Sequence, residues 1–140
     1  MRVLGLDVGE RRIGIALSDA LGLTAQPLTV LTRQSRSADV EAIAAVVSGH
    51  GVERVIVGLP LTLRGEQGVQ AQLVTAFVEQ LRRRLQVPIE VRDERLTTVQ
   101  GQRMLREAGA SHRRRKQVID RVAAQLILQH FLDAQRASQD

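Results

Sequence analysis

The feature that most restricts how this 140-residue chain can fold is a change of rhythm partway along it. Residues 3–7 and 12–18 are short apolar runs separated by the turn chemistry of residues 9–12, so they read as a β-hairpin. Gly14 and Ala16 leave room on one face of the second strand, and residues 27–31 offer a third. Residues 37–50 then carry alanines and aliphatics at helical spacing and stop at Gly49 and Gly51. From there the pattern alternates. A branched run at 55–58 suits a buried parallel strand; a loop at 59–68 follows, then an amphipathic helix over 69–85 and a strand at 88–92. Thr97 and Gln100 have capping-box spacing for a helix reaching residue 107, and a last helix spans 116–134. Hairpin-linked strands followed by strands that alternate with helices imply an α/β fold, a mixed sheet with helices on its faces.

No Ser/Pro/Gly-rich stretch divides the chain, so residues 1–140 are expected to form a single domain. Hydrophobic residues make up 44%, enough for a core, but Phe77 and Phe131 are the only aromatics, so that core is aliphatic and stacking on bases has little to work with. The chain has no cysteine, which removes disulfides and thiolate metal sites. No apolar stretch approaches a membrane span, and Asp7 and Glu10 interrupt the first run, so no signal-peptide core is present and a cytoplasmic protein is the expectation. The net charge is +5, and of the twenty basic residues only Lys116 is not arginine. That balance favours a polyanionic partner, because the guanidinium fork suits bidentate phosphate contacts.

Three acids stand out. Asp7 ends the first apolar run, Glu94 follows the strand at 88–92, and Asp120 lies early in the last helix. Asp120, Ala123, Ala124, Ile127, Leu128 and Phe131 fall on one helical stripe that is apolar except for its first member, which turns Asp120 toward the sheet; Asp133 falls well off that stripe, where a solvated acid belongs. If Asp7 and Glu94 lie at adjacent strand ends, three negative groups converge. At about 5 Å and an effective dielectric near 20, each pair repels by roughly 3 kcal/mol. Such a cluster needs a cation, and oxygen-only ligands suit Mg²⁺ or Mn²⁺ rather than zinc. Two such ions about 4 Å apart activate water for in-line attack on a phosphodiester. Read one at a time, each acid also has a structural explanation: Asp7 as a turn residue, Glu94 as a partner for Arg92 or Arg95, Asp120 as a helix-dipole partner or an ion pair with Arg121.

The stretches GLDVGERRIGIALSD (5–19), VGLPLTLRGEQG (57–68), DERLTTVQ (93–100) and VIDRVAAQLILQHFL (118–132), in this order and spacing, resemble the YqgF/RuvX family of ribonuclease H-like nucleases. The family is described as pre-16S rRNA nucleases or Holliday junction resolvases. The resemblance implies a ribonuclease H-like, five-stranded mixed sheet flanked by helices, its first three strands antiparallel and the rest parallel. It maps the family's catalytic and metal-binding acids onto Asp7, Glu94 and Asp120, with divalent metal held across the first strand and the last helix. The second stretch departs from the family pattern: Thr62, Arg64 and Gln67 replace polar and acidic positions, removing acids and adding a base.

Arg82, Arg83 and Arg84 close a helix, where the dipole favours cations. Arg113, Arg114, Arg115 and Lys116 instead precede a helix N-terminus, which disfavours positive charge, so an anion is expected there; phosphates beside Asp120 fit. Arg12 and Arg64 extend this track. His50, His112 and His130 are scattered and read as surface or packing residues. The expected function is a metal-dependent nuclease acting on structured RNA, the 5′ end of pre-16S rRNA in particular, as a monomer or a homodimer. A resolvase of branched DNA, which needs a homodimer to cut two strands symmetrically, uses the same chemistry. A non-catalytic RNA-binding ribosome-assembly factor is the alternative of another class. Nucleotide binding of the actin and sugar-kinase type is disfavoured, because one such domain cannot close over a nucleotide and no Walker pattern appears.

Overall fold

The computed structural model describes residues 1–60, 68–93 and 112–139, with the side chains of 112–121 and 139 excepted. The helix expected over 97–107 and most of the loop expected at 59–68 lie outside these residues. The elements are β1 (Arg2–Val8), β2 (Arg12–Ser18), β3 (Ala25–Thr32), α1 (Arg36–His50), β4 (Val52–Leu59), α2 (Val69–Arg84), β5 (Ile89–Asp93) and α3 (His112–Gln139). They build a five-stranded sheet in the order β3-β2-β1-β4-β5. β1, β2 and β3 form an antiparallel meander, and β4 and β5 join β1 in parallel.

Some boundaries differ from the sequence reading. The first helix starts earlier because Ser35, in extended conformation, caps it by accepting from Ala38 N at 3.1 Å. It ends at Gly51 alone, whose φ of 62° is the left-handed conformation that glycine adopts without steric cost, while Gly49 still lies inside the helix. β3 extends either side of the expected run, through Pro27. A proline is tolerated there because β3 is an edge strand, and the register shift between Ile15 and Ala16 leaves Leu28 as the extra residue of a bulge.

Strand alternation gives the sheet two unlike faces. Leu4, Leu6 and Val8 of β1, with Ile13, Ile15, Val55, Val57 and Ile89, pack against Val40, Ile43 and Val47 of α1 and Val74, Phe77, Val78 and Leu81 of α2. On the opposite face Val3, Ala16, Ala25 and Ile56 meet Ala124, Ile127, Leu128, Phe131 and Leu132 of α3. The apolar part of the predicted stripe on the last helix is therefore the buried one. Gly5 lets α3 sit this low: a Cβ there would stand 2.7 Å from Leu128 Cβ and 3.0 Å from the Ala124 carbonyl oxygen, closer than side chains tolerate.

Two glutamines of α3 tie it to the sheet edge. Ala25 N donates to Gln129 Oε1 at 2.9 Å, and Gln125 and Gln129 donate to the carbonyls of Ala25 and Leu23. They satisfy backbone groups that an edge strand would leave open. Among the described residues no helix is long and apolar enough to cross a membrane.

Candidate active site

Asp7 is the next-to-last residue of β1 and half-buried. Period-two alternation sets it on the face of Val3 and Gly5, the face that α3 covers, while its neighbours Leu6 and Val8 belong to the opposite core. Its cross-strand partner on β2 is Gly14. On the other side Leu6 pairs with Val57, so the next residue of β4, Gly58, stands level with Asp7. Both lateral neighbours therefore lack side chains.

The turn after β1 is held tightly. Gly9 N donates to Arg12 O at 2.8 Å, and a Cβ on Gly9 would lie 2.9 Å from that same oxygen. Arg33 fastens this turn from the far end of the meander. Its Nη1 donates to Gly9 O at 3.1 Å, its Nε to Asp39 Oδ2 at 3.0 Å, and its guanidinium lies 5.0 Å from the Phe77 ring centroid. Asp39 is a buried acid at the start of α1 and also accepts from Gln34 N at 3.0 Å. A buried carboxylate with two donors and a cation in contact is satisfied, so it marks a structural clamp. Gln70 of α2 completes the setting by donating to the Val8 carbonyl at 3.3 Å.

The remaining predicted residues divide by position. Glu94 immediately follows the last residue of β5 and lies outside the described residues. β5 is not the neighbour of β1, because β4 runs between them; the sequence condition of adjacent strand ends is not met, and the strand axes are about 10 Å apart. Asp120 belongs to the backbone of α3, one helical turn before Ala124, whose carbonyl lies over Gly5; its side chain lies outside the described residues. Among the described residues no three His, Cys, Asp or Glu side chains form a group that could hold a metal ion.

Arg12 opens β2, half-buried, two residues from Gly14 and so on the same face as Asp7. Arg64 lies outside the described residues. Arg113, Arg114, Arg115 and Lys116 do not precede the last helix as the sequence suggested: α3 begins at His112, so they occupy its first turns, which contain no acid to offset them. On the other side of the molecule, the Arg82–Arg84 run is more than a solvated helix end. Arg84 holds Glu41 of α1 through Nε at 2.8 Å and Nη2 at 3.2 Å, and Arg82 donates to Ile89 O at 3.2 Å. The Arg84 hydrogen bond draws the Glu41 pKa below its usual value, and the same bond raises that of Arg84. Asp133, off the apolar stripe as expected, is exposed and pairs with Arg136.

Sequence reasoning missed Gly5 and the Arg33–Asp39 clamp. The first had a signal, a glycine inside an otherwise apolar strand; the second had none, because the clamp joins a loop, a helix start and a turn 24 residues apart.

Comparison with known proteins adds the family. A model described as "RuvX: Holliday junction resolvase" matches residues 1–134. A Moorella thermoacetica protein named "Putative pre-16S rRNA nuclease" is 51% identical over 133 residues, covering 95% of this chain and 95% of its own. A Myxococcus xanthus protein of the same name is 50% identical, covering 97% and 90%. Among solved structures, Thermus thermophilus RuvC in complex with a Holliday junction substrate aligns with a TM-score of 0.56 at 19% identity, over 97% of this chain and 96% of that one. The fowlpox virus resolvase bound to Holliday junction DNA gives 0.55 at 12% identity, over 96% and 98%. At those identities the structural likeness speaks for the ribonuclease H-like fold alone. With the model matched over nearly its full length and relatives half identical along it, the chain belongs to the RuvX family.

Proposed function

We propose that this chain is a nuclease that hydrolyses phosphodiester bonds in structured RNA, with the 5′ end of pre-16S rRNA as its substrate, in the cytoplasm. Its relatives' names support the substrate. The observation that carries the chemistry is the placing of Asp7: a half-buried carboxylate at the end of β1, on the α3 face, between two glycines. In this reading Asp7, Glu94 and Asp120 together hold Mg²⁺ or Mn²⁺. The donor chemistry fits, since hard divalent cations take carboxylate oxygens and the chain offers no thiolate. Such ions, when bound, supply charge neutralisation and an activated water at the phosphodiester.

The chain's own part is to gather the acids and grip the strand. Glu90 and Arg92 of β5 lie on the same face as Asp7, and the seating of α3 on Gly5 brings the backbone of Asp120 to that side of the sheet. Asp7 is kept in register by the Gly9 turn and the Arg33 clamp. Arg12, Arg64, Arg113, Arg114, Arg115 and Lys116 neutralise phosphates of the substrate.

The decisive experiment compares the intact chain with Asp7→Asn on a precursor RNA in Mn²⁺. Cleavage by the intact chain and none above the buffer control by the folded variant is the expected result; equal cleavage by both overturns the reading. The family model's description favours a second substrate, the four-way DNA junction. A protein that runs as a monomer, cuts the RNA and leaves the junction whole excludes it, whereas symmetrical cutting of the junction by a dimer selects it.

A further inference from the structure

Beside the candidate acids, the α3 face carries a second group of charges that none of the nucleic-acid contacts above includes. Arg54 of β4 and Glu90 and Arg92 of β5 share this face with Asp7, on the β5 side of it. Both guanidiniums lie against the ring of Phe131 from α3, with their carbons 5.8 Å and 5.6 Å from its centroid. They share one carboxylate: Arg54 Nη1 is 3.8 Å from Glu90 Oε2, and Arg92 Nη1 is 3.5 Å from Glu90 Oε1. Among the described residues, two cations against one anion leave the group at +1. Neither contact is short enough for a good hydrogen bond, so neither fills the donor it uses. Among the described residues the Nε of Arg54 is buried with no hydrogen-bond partner. Buried donors are nearly always paired, and an exception calls for an absent acceptor. The two side chains are only about one-third exposed, so the ring and the sheet hold them in place before any ligand arrives.

We infer that Arg54 and Arg92, braced on Phe131, form a phosphate grip for the nucleic-acid backbone on the β5 side of the candidate site. An arginine pair suits a phosphodiester because each planar fork presents parallel donors to two oxygens. Arg92 pairs with Gly58 and so stands level with Asp7, two strands and about 10 Å away, while Arg12 lies on the other side of β1. A substrate strand crossing the sheet at that level is held at both sides of the acids. Glu90 tempers the grip by competing for the same donors. The inference takes its ligand class from the nuclease reading but depends on binding alone.

The test measures fluorescence anisotropy with a fluorescein-labelled RNA stem–loop and a DNA stem–loop of the same sequence, in EDTA so that nothing is cut. R54Q/R92Q is expected to bind both about tenfold more weakly, with a shallower dependence of log K on log salt by one to two contacts. E90Q, which removes the competing acid, is expected to bind more tightly. R83Q, at the exposed end of α2 on the opposite face, is expected to match the wild type. Wild-type affinity and salt slope in a folded R54Q/R92Q, or no gain in E90Q, overturns the grip. Cleavage by Asp7→Asn overturns the nuclease reading instead and leaves these binding curves to judge the grip by themselves.

Discussion

The two faces of this sheet are made by the same strands and do opposite things. Under α1 and α2 the residues are uniformly large and aliphatic: Leu4, Leu6, Val8, Ile13, Ile15, Val55 and Val57. Under α3 the same strands present Val3, Gly5 and Asp7, then Ala16 and Gly14, then Arg54, Ile56 and Gly58. β1 shows the division most sharply, because its even-numbered residues join the α1/α2 core and its odd-numbered residues face α3, ending at Asp7. One strand can hold a half-buried acid in register because alternate residues fasten it to the other core. The small residues on the α3 face bring a helix down to the backbone, and the price is a thinner apolar layer on that side.

The sharpest way to break this division is to damage each face separately. Leu6→Ala removes a fully buried side chain from the α1/α2 core and is expected to cost about 3 kcal/mol of unfolding free energy in urea, with the specific activity of the folded fraction unchanged. Gly5→Ala adds one methyl where Leu128 Cβ would stand 2.7 Å away. Overpacking of this kind costs about 2 kcal/mol. Its effect on cleavage is expected to exceed its effect on stability, because lifting α3 moves the helix that carries Asp120. Activity that falls equally in the two variants, per folded molecule, would mean that the faces are not divided as described.

How much of this was legible beforehand follows the range of the interactions. The hairpin, the switch to alternating strands and helices, and the apolar stripe of the last helix depend on residues within a few turns of each other, and all were readable. So was the position of Asp7 at the end of its strand, since a charge closing an apolar strand is a local anomaly. The insertion of β4 between β1 and β5 was not readable, because periodicity identifies strands without ordering them. Neither was the Ala25–Gln129 contact, whose partners are 104 residues apart, nor the Arg33 clamp. The start of α3 was placed late, at Lys116 instead of His112, because Gly109 and Ser111 mark a break in the chain without fixing where the next helix begins.

Asp19 allows a finer comparison between an acid that serves the fold and one assigned to the site. It lies just after Ser18, in the turn from β2 to β3, and accepts from Leu23 N at 2.7 Å and Thr24 N at 3.4 Å. The Leu23 amide above all holds its carboxyl below the usual carboxylate value, against an opposing effect of desolvation. A carboxyl whose pKa is lowered by folding stabilises the folded state fully above its unfolded pKa, near 4, and loses that contribution as pH falls through the folded value. Asp19→Asn removes the titrating group, so its thermal midpoint should lie slightly below the wild type at pH 7 and converge with it as pH falls below the carboxylate range, as followed by circular dichroism. The group is fully exposed, so the difference is small and shrinks with added salt. Cleavage at pH 7 should be unaffected, in contrast to Asp7→Asn. A fall in activity in Asp19→Asn without a change in midpoint would instead tie the β2–β3 turn to the site, and the separation of fold-serving from site-serving acids would have to be redrawn around α3, which binds that turn through Gln129 and the Leu23 carbonyl.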